Sequence, residues 1–460
     1  MLRRADLEQP GIDPRRPKFQ PLLNALQGNI LKPHARTYAV YLFFAIRPGA
    51  AAKARRWIGD FAIRRMISAR DQLDEAVAHR RHNTQGRPVI NLFLSASGYR
   101  ALGRGLAMPA DRRFRDGMKR SRRSLKDPPP ATWDRGYRGP VHAALLIADS
   151  DATRLRRDTA DIRRRLGAFA RVLAVERGRM WRNRQRQPIE HFGYMDGRSQ
   201  PLFLTPDIRD ERRKRDGINR FNPAGPLKLV LAPDPNVTPD AFGTYAVFRK
   251  LEQNVRGFKR LEQGLADTLG LSGERQRERA GALVVGRFED GTPVALRDRD
   301  GMHRPIPNNF TYSGDAAGGR CPFHAHIRAV NARRDTTRAH RVARRGIPYG
   351  RPRPPEEDDD PNDLPTRGVG LLFLCFQRDI GAQFERLQKR SNAPRRGLVD
   401  PIIGQGRPTA VARWPRQWGG APSDRFDFRL ATRTGLKKGV VTLKGGEYFF
   451  APSLPFLRSL

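Results

Sequence analysis

Apolar runs of strand length alternate with amphipathic stretches of helix length along most of this chain. That alternation constrains the fold more than any other feature of the sequence. The run TYAVYLFFAI, Thr37–Ile46, is aromatic and aliphatic without a breaker and predicts a strand. Residues 50–78 read as a helix, with Ala51, Ala52, Ala54, Trp57, Ile58, Phe61, Ala62 and Met66 on one face. PVINLFLSASGYRALG, from Pro88, reads as a strand running into a helix opened by Ser95 or Ser97. An Arg- and Pro-rich connection over 109–138 is expected to be irregular. A strand at Val141–Ser150 follows, then a basic amphipathic helix at Thr153–Phe169 with Leu155, Ile162 and Leu166 inward, then a strand from Ala170. That order is β-α-β twice over, a ferredoxin-like unit with an antiparallel sheet and helices on one face.

Between Arg209 and Asp240 the periodicity lapses while Pro, Asn and charge accumulate, which marks a junction. Beyond it the same grammar returns. A strand from Phe242 runs into a helix, and residues 258–286 are helical. The stretch Asp290–Asp315 is rich in loops, Val369–Gln377 is a continuous apolar strand, Asp379–Lys389 is a helix, and GEYFFAPSLPFL is a last strand and apolar tail. The expected division is an arm over 1–22, a first unit over 23–208, a linker over 209–240 and a second unit over 241–460. The arm is charged and Pro-containing, hence mobile or draped. No segment approaches the ~20 apolar residues of a membrane span. The start has no apolar run to act as a secretion signal. Cys321 and Cys375 are too few for a disulfide framework. A cytoplasmic protein without a membrane partner is the expectation.

Charge bears on partners. With 88 Lys+Arg against 47 Asp+Glu, the formal net charge is +41, a surface that attracts polyanions. The arginines are scattered, however, with no compact basic block interleaved with aromatics and no nucleic-acid motif. A solvated, Arg-coated surface is therefore expected, and a nucleic acid or other polyanion partner has no motif behind it. RPRPPEEDDDPNDLP, from Arg351, reads as a solvent loop with an acidic centre, an intramolecular partner for that surface.

Three stretches carry chemistry. HFGYMDGRSQP, His191–Pro201, holds one carboxylate, Asp196, between Gly193 and Gly197. An acid among apolar residues is costly without a partner, although alone this is an ordinary Asp-Gly turn. RCPFHAHIRAVNARR, Arg320–Arg334, contains His324 and His326. RVARRGIPYG, Arg341–Gly350, contains Arg344 and Arg345, which in isolation read as surface arginines.

GYMDG, CPFHAHIR and RRGIPYG resemble the GxxDG, CPFxAHIR and RxGxPYG segments of dye-decolorizing peroxidases. LQGNIL, FRKLEQNV, GLLFLCFQ, DPIIG and GGEYFF are further landmarks of that family in the same order. The resemblance runs from about residue 27 to the C-terminus, and the length and the DPIIG and GEYFF pieces are similar to the longer subgroup that includes the fungal enzymes. It implies an α+β protein of two ferredoxin-like domains with antiparallel sheets in a dimeric α+β barrel-like arrangement. It implies one haem b per chain, between the sheet and helices of the second domain, and oxidation of aromatic donors such as dyes and phenols by hydrogen peroxide.

The same resemblance assigns roles. His326, directly before Ile-Arg, is implied as the axial iron ligand in preference to His324, which is left a core or surface role. Asp400 of VDPIIG is implied as the carboxylate behind it, against the alternative of a turn-capping Asp. Peroxide heterolysis moves a proton from one peroxide oxygen to the other, work suited to Asp196 as acid–base group. Arg344, two residues before the glycine, is implied as the cation that stabilises charge on the leaving oxygen. Arg328 is implied as a partner of a haem propionate, and Leu371 and Phe373 as the apolar wall. Cys375, on the same alternation, reads as buried and inert. None of the tryptophans and tyrosines is singled out for electron transfer. The arginine load favours anionic dyes, and the acidic segment after Tyr349 reads as an insertion near Arg344 that alters access. Two rivals stand beside the peroxidase: a non-enzymatic haem carrier or sensor, which needs only His326 and a pocket, and a polyanion-binding protein on the same scaffold.

Overall fold

The apolar runs pair as antiparallel strands that close into a ring. The structure, a computed structural model, describes residues 2–235, 237, 241–302, 305–351, 353–355, 360, 362–393, 399–405, 411–427 and 439–460. The first half supplies β1 (Tyr38–Ile46), β2 (Val89–Leu94), β3 (Ala143–Asp149) and β4 (Ala170–Arg179). The second supplies β5 (Phe242–Gln253), β6 (Ile347–Tyr349), β7 (Gly370–Gln377) and β8 (Val441–Ala451). Each set has the order fourth, first, third, second: β4-β1-β3-β2 and β8-β5-β7-β6. The sheets meet at two narrow seams, Leu94 beside Phe450 and Gly178 beside Tyr349, so the ring closes as an α+β barrel.

Period-two patterning explains the two buried faces of β1. Tyr41 and Phe43 point inward, with ring centroids 5.2 and 4.6 Å from that of Phe248 on β5. Val40, Leu42 and Phe44 point to the opposite face and are likewise buried. The helices that cover the strands are α1 (Ala51–Arg64), α2 (Ala69–His82), α3 (Ala152–Leu166), α4 (Val255–Leu269), α5 (Glu274–Val285) and the short α6 (His326–Val330). No helix among the described residues is long and apolar enough to cross a membrane.

Four expectations are corrected. The helix over 50–78 is two helices, because Ser68 caps α2 in a reciprocal pair with Asp71. The helix over 258–286 is broken at Gly270 and Gly273, both with left-handed φ angles of +64° and +82°. The irregular connection contains the short helices Arg112–Asp116, Met118–Leu125 and Arg135–Arg138. The strand β6 was not anticipated: three residues with a central proline carry no periodicity. The arm is draped, through bridges from Pro10 to Pro226 and from Ile12 to Leu204, with Phe19 fully buried. The acidic centre of the segment after Tyr349, residues 356–359, lies outside the described residues.

One ion pair ties the connection to the second sheet. Arg249 on β5 donates to both oxygens of Asp127, at 3.1 and 2.5 Å, with side chains only 4% and 1% exposed. Removing one partner strands a buried charge. Asp127→Ala should therefore lower the unfolding free energy by about 3 kcal/mol in a denaturant titration. A loss within error of zero would count against the pair as a structural clamp.

Candidate active site

The Asp196 loop is held by its own sequence. Glu190 accepts the backbone N–H groups of Phe192 and Tyr194 at 3.0 and 3.1 Å, and Gln253 of β5 donates to it at 2.5 Å. Gly193 and Gly197 have φ angles of +98° and +87°, the left-handed turns that bracket Asp196. The loop comes from the first half and is pinned to the second. Met195 N–H donates to Glu289 O at 3.1 Å, and the His191 ring nitrogen Nε2 lies 2.8 Å from Tyr349 O.

Asp196 meets Arg344 at the mouth of a cavity. Arg344 Nη1 donates to Asp196 Oδ1 at 3.1 Å, and the side chains are 37% and 31% exposed, Arg344 first, because they face that open space. Two more bonds fix Arg344: its Nη2 donates to Arg198 O at 2.9 Å and its backbone N–H donates to Gln200 Oε1 at 3.0 Å.

His326 opens α6 and lines the same cavity. Its Nδ1 lies 2.8 Å from Asp400 Oδ2. The fully buried Asp400 is itself oriented by the N–H groups of Ile402 and Ile403, which donate to Oδ1 at 2.9 and 3.2 Å. Burial opposes charge on His326, but Asp400 outweighs it and holds the imidazole pKa above its ordinary value. With Nδ1 engaged, Nε2 has no hydrogen-bond partner among the described residues. Leu371 and Phe373, alternate residues of β7, line the cavity together with Val285, Ile327 and Phe384.

The cavity thus brings together Asp196, Arg344, His326, Leu371 and Phe373, with Asp400 behind His326. Arg328, expected beside a propionate, is not among them. It turns away to Asp315, donating to Oδ2 and to the backbone O at 2.7 Å each, between the rings of Phe323 and Tyr312. His324 is buried edge-to-face against Trp414, 4.3 Å between ring centroids. Arg345 donates to Asn29 O and Ile30 O, at 2.7 Å each, and anchors the LQGNIL segment. Among the described residues of the segment after Tyr349, none lines the cavity, and its acidic centre lies outside the described residues.

Two arginines escaped the sequence reading. Arg287 lines the cavity, and Arg333 stands behind it, donating to Ser199 Oγ at 2.6 Å and covering the Phe310 ring at 3.8 Å. Both are buried, and neither is paired with a carboxylate among the described residues. Burial first, then the like charge of Arg333, pushes Arg287 down to about 9, and burial pushes Arg333 down to about 10. Such cations call for an anion. The only signal in the sequence was the Asn-x-Arg that follows the His326 segment.

Residues 25–181 match the DyP dimeric alpha+beta barrel domain, and residues 215–402 match the Dyp-type peroxidase, C-terminal, family. The multifunctional dye peroxidase DyP2 of Amycolatopsis sp. is 43% identical over 465 residues, which cover 95% of this chain and 96% of that protein. The chain belongs to the DyP-type peroxidase family. The dye-decolorizing peroxidase msp1 of Mycetinis scorodonius is 31% identical over 476 residues, 95% of this chain and 87% of that protein. The DyP-type peroxidase AnaPX of Anabaena sp., a crystal structure, superposes with a TM-score of 0.91 at 40% identity, covering 100% of both chains. The family resemblance and the α+β barrel fold expected from the motifs are borne out.

DyP-type peroxidases are haem enzymes, and the residues present fit that group. A half-buried imidazole offers an unengaged nitrogen and is backed by a buried carboxylate, the arrangement that suits an iron ligand. Apolar side chains make up much of the wall, and Arg287 brings positive charge to it with Arg333 standing behind.

Proposed function

We propose that this chain reduces hydrogen peroxide at a haem held by His326 and uses the oxidising power gained on aromatic donors such as dyes and phenols. When bound, the haem supplies a redox-active iron, at which peroxide is reduced and through which donors lose one electron at a time. The reading is carried by the Asp196–Arg344 ion pair on the same cavity as His326. A haem carrier needs the histidine alone and has no use for that pair.

Each residue has a task. His326 binds through Nε2 while Asp400 accepts its Nδ1–H, fixes the ring and makes it a stronger donor. Asp196 takes a proton from one peroxide oxygen and delivers it to the other, so that water is the leaving group. Arg344 holds Asp196 in place and stabilises negative charge on the departing oxygen. Leu371 and Phe373 exclude water, which strengthens both electrostatic effects. Arg287 and Arg333 are assigned to the haem propionates in place of Arg328.

Several coarser features accompany this reading. A first unit over 23–208 carries the Asp196 loop, and a second over 241–460 carries His326 and Arg344. Both cysteines are buried and unpaired, which suits a reducing, cytoplasmic setting. The net charge of +41 favours anionic aromatic donors, sulfonated dyes among them. The test is stopped-flow absorbance of the haem-loaded chain. One equivalent of hydrogen peroxide should shift the Soret band and a phenol should restore it in two kinetic steps. A Soret band indifferent to peroxide would leave the carrier reading standing.

A further inference from the structure

Tyr194 sits two residues before Asp196 and lines the same cavity, yet the peroxide chemistry leaves it without a task. Its phenol donates a 2.5 Å hydrogen bond to Glu262 Oε1 of α4, and both side chains are buried. Behind Glu262, Lys259 Nζ lies 2.9 Å from Glu262 Oε2 and 2.6 Å from Glu289 Oε1. Glu289 is 33% exposed, so the row leads from the cavity to solvent.

Space for the phenol–carboxylate contact is built into α5. A methyl group on Gly281 would stand 2.0 Å from both Tyr194 Oη and Glu262 Oε1. Glycine inside a helix is unfavourable relative to alanine, and here it leaves the contact intact. Burial and the charge of Glu262 hold the Tyr194 pKa well above its ordinary value, so the resting side chain is a protonated phenol. A buried phenol cannot lose an electron alone without leaving an unpaired cation in a dry site. A carboxylate at hydrogen-bond distance removes that obstacle by taking the proton.

We propose that Tyr194 is a redox-active tyrosine that gives up one electron to the peroxide-oxidised enzyme while its proton passes to Glu262. The Tyr194 O–H bond breaks, an O–H bond forms on Glu262 Oε1, and a neutral phenoxyl radical remains. A phenolic donor where the row reaches solvent returns the electron, Glu262 returns the proton, and the donor loses its own proton to water. The inference rests on the peroxidase reading.

The test is EPR on the haem-loaded full chain, freeze-quenched after one equivalent of hydrogen peroxide without donor, beside a stopped-flow record of the Soret band. The native chain should give a tyrosyl signal that Tyr194→Phe removes. Glu262→Gln should form it ~100-fold more slowly for want of the base. Gly281→Ala, which parts the phenol from the carboxylate without removing either, should also slow it. A tyrosyl signal unchanged in Tyr194→Phe, or absent from the native chain while the Soret band responds, overturns the redox role and spares the peroxidase reading. A Soret band that ignores peroxide overturns both.

Discussion

Asp196→Asn will retain haem, yet the peroxide-dependent Soret change will slow by about 10²–10⁴-fold, the usual contribution of a positioned acid–base group. Asparagine preserves the shape of the carboxylate and can still accept from Arg344, so the loop between Gly193 and Gly197 should keep its course. What it lacks is the capacity to hold a proton between the two peroxide oxygens. Arg344→Leu will slow the same step further, because Arg344 serves twice. It stabilises charge on the leaving oxygen, typically worth about 10²–10³-fold, and it holds Asp196 at 3.1 Å. The two effects share one contact, so the double variant should cost less than the product of the single losses. Full multiplication would mean that the residues act independently, and normal rates in both single variants would remove the reason to prefer a peroxidase over a carrier.

Asp196, His326 and Arg344 were legible in the sequence through the family resemblance of their three short segments, since alone they read as an Asp-Gly turn, an ordinary histidine and a surface arginine. In the structure those segments hold two glycines at left-handed turns, a histidine at a helix start and an arginine before the proline-containing β6. Asp400 was named by its place in the DPIIG segment of the resemblance, with a turn-capping role as the alternative; in the structure it accepts from the turn's N–H groups and also faces His326. Arg328 was not readable. Its direction depends on Asp315, a partner supplied by a loop of no pattern, and on how a helix of five residues is seated. Arg287 carried no local mark in a chain this rich in arginine; only its burial without a counter-ion distinguishes it. Among the elements, the split between α1 and α2 was legible in the Ser68–Asp71 capping pair and was overlooked under a continuous apolar face. The seam formed by β6 was not legible, because one residue pair, Tyr349 with Gly178, joins it to β4.

His326→Ala should abolish the Soret band of the native complex, or weaken and displace it, when the variant is prepared with haem in excess. The neighbouring histidine of the same segment does not stand ready as a second ligand. His324 is held in the core against Trp414, and burial pushes its pKa down to about 3, so it is a neutral packed side chain rather than a mobile substitute. The deletion also leaves a mark on the haem-free protein. Asp400 keeps its bonds from Ile402 and Ile403 but loses its partner while fully buried, which should cost about 1–3 kcal/mol of unfolding free energy. Added imidazole can enter the space vacated by the side chain. It should restore a Soret band near the native position and recover part of the lost stability, since one small molecule would satisfy both the iron and Asp400. Rescue of the spectrum without any gain in stability would separate the two roles and count against Asp400 as the orienting partner. A variant that binds haem with an unchanged Soret band would show that the axial ligand is another residue.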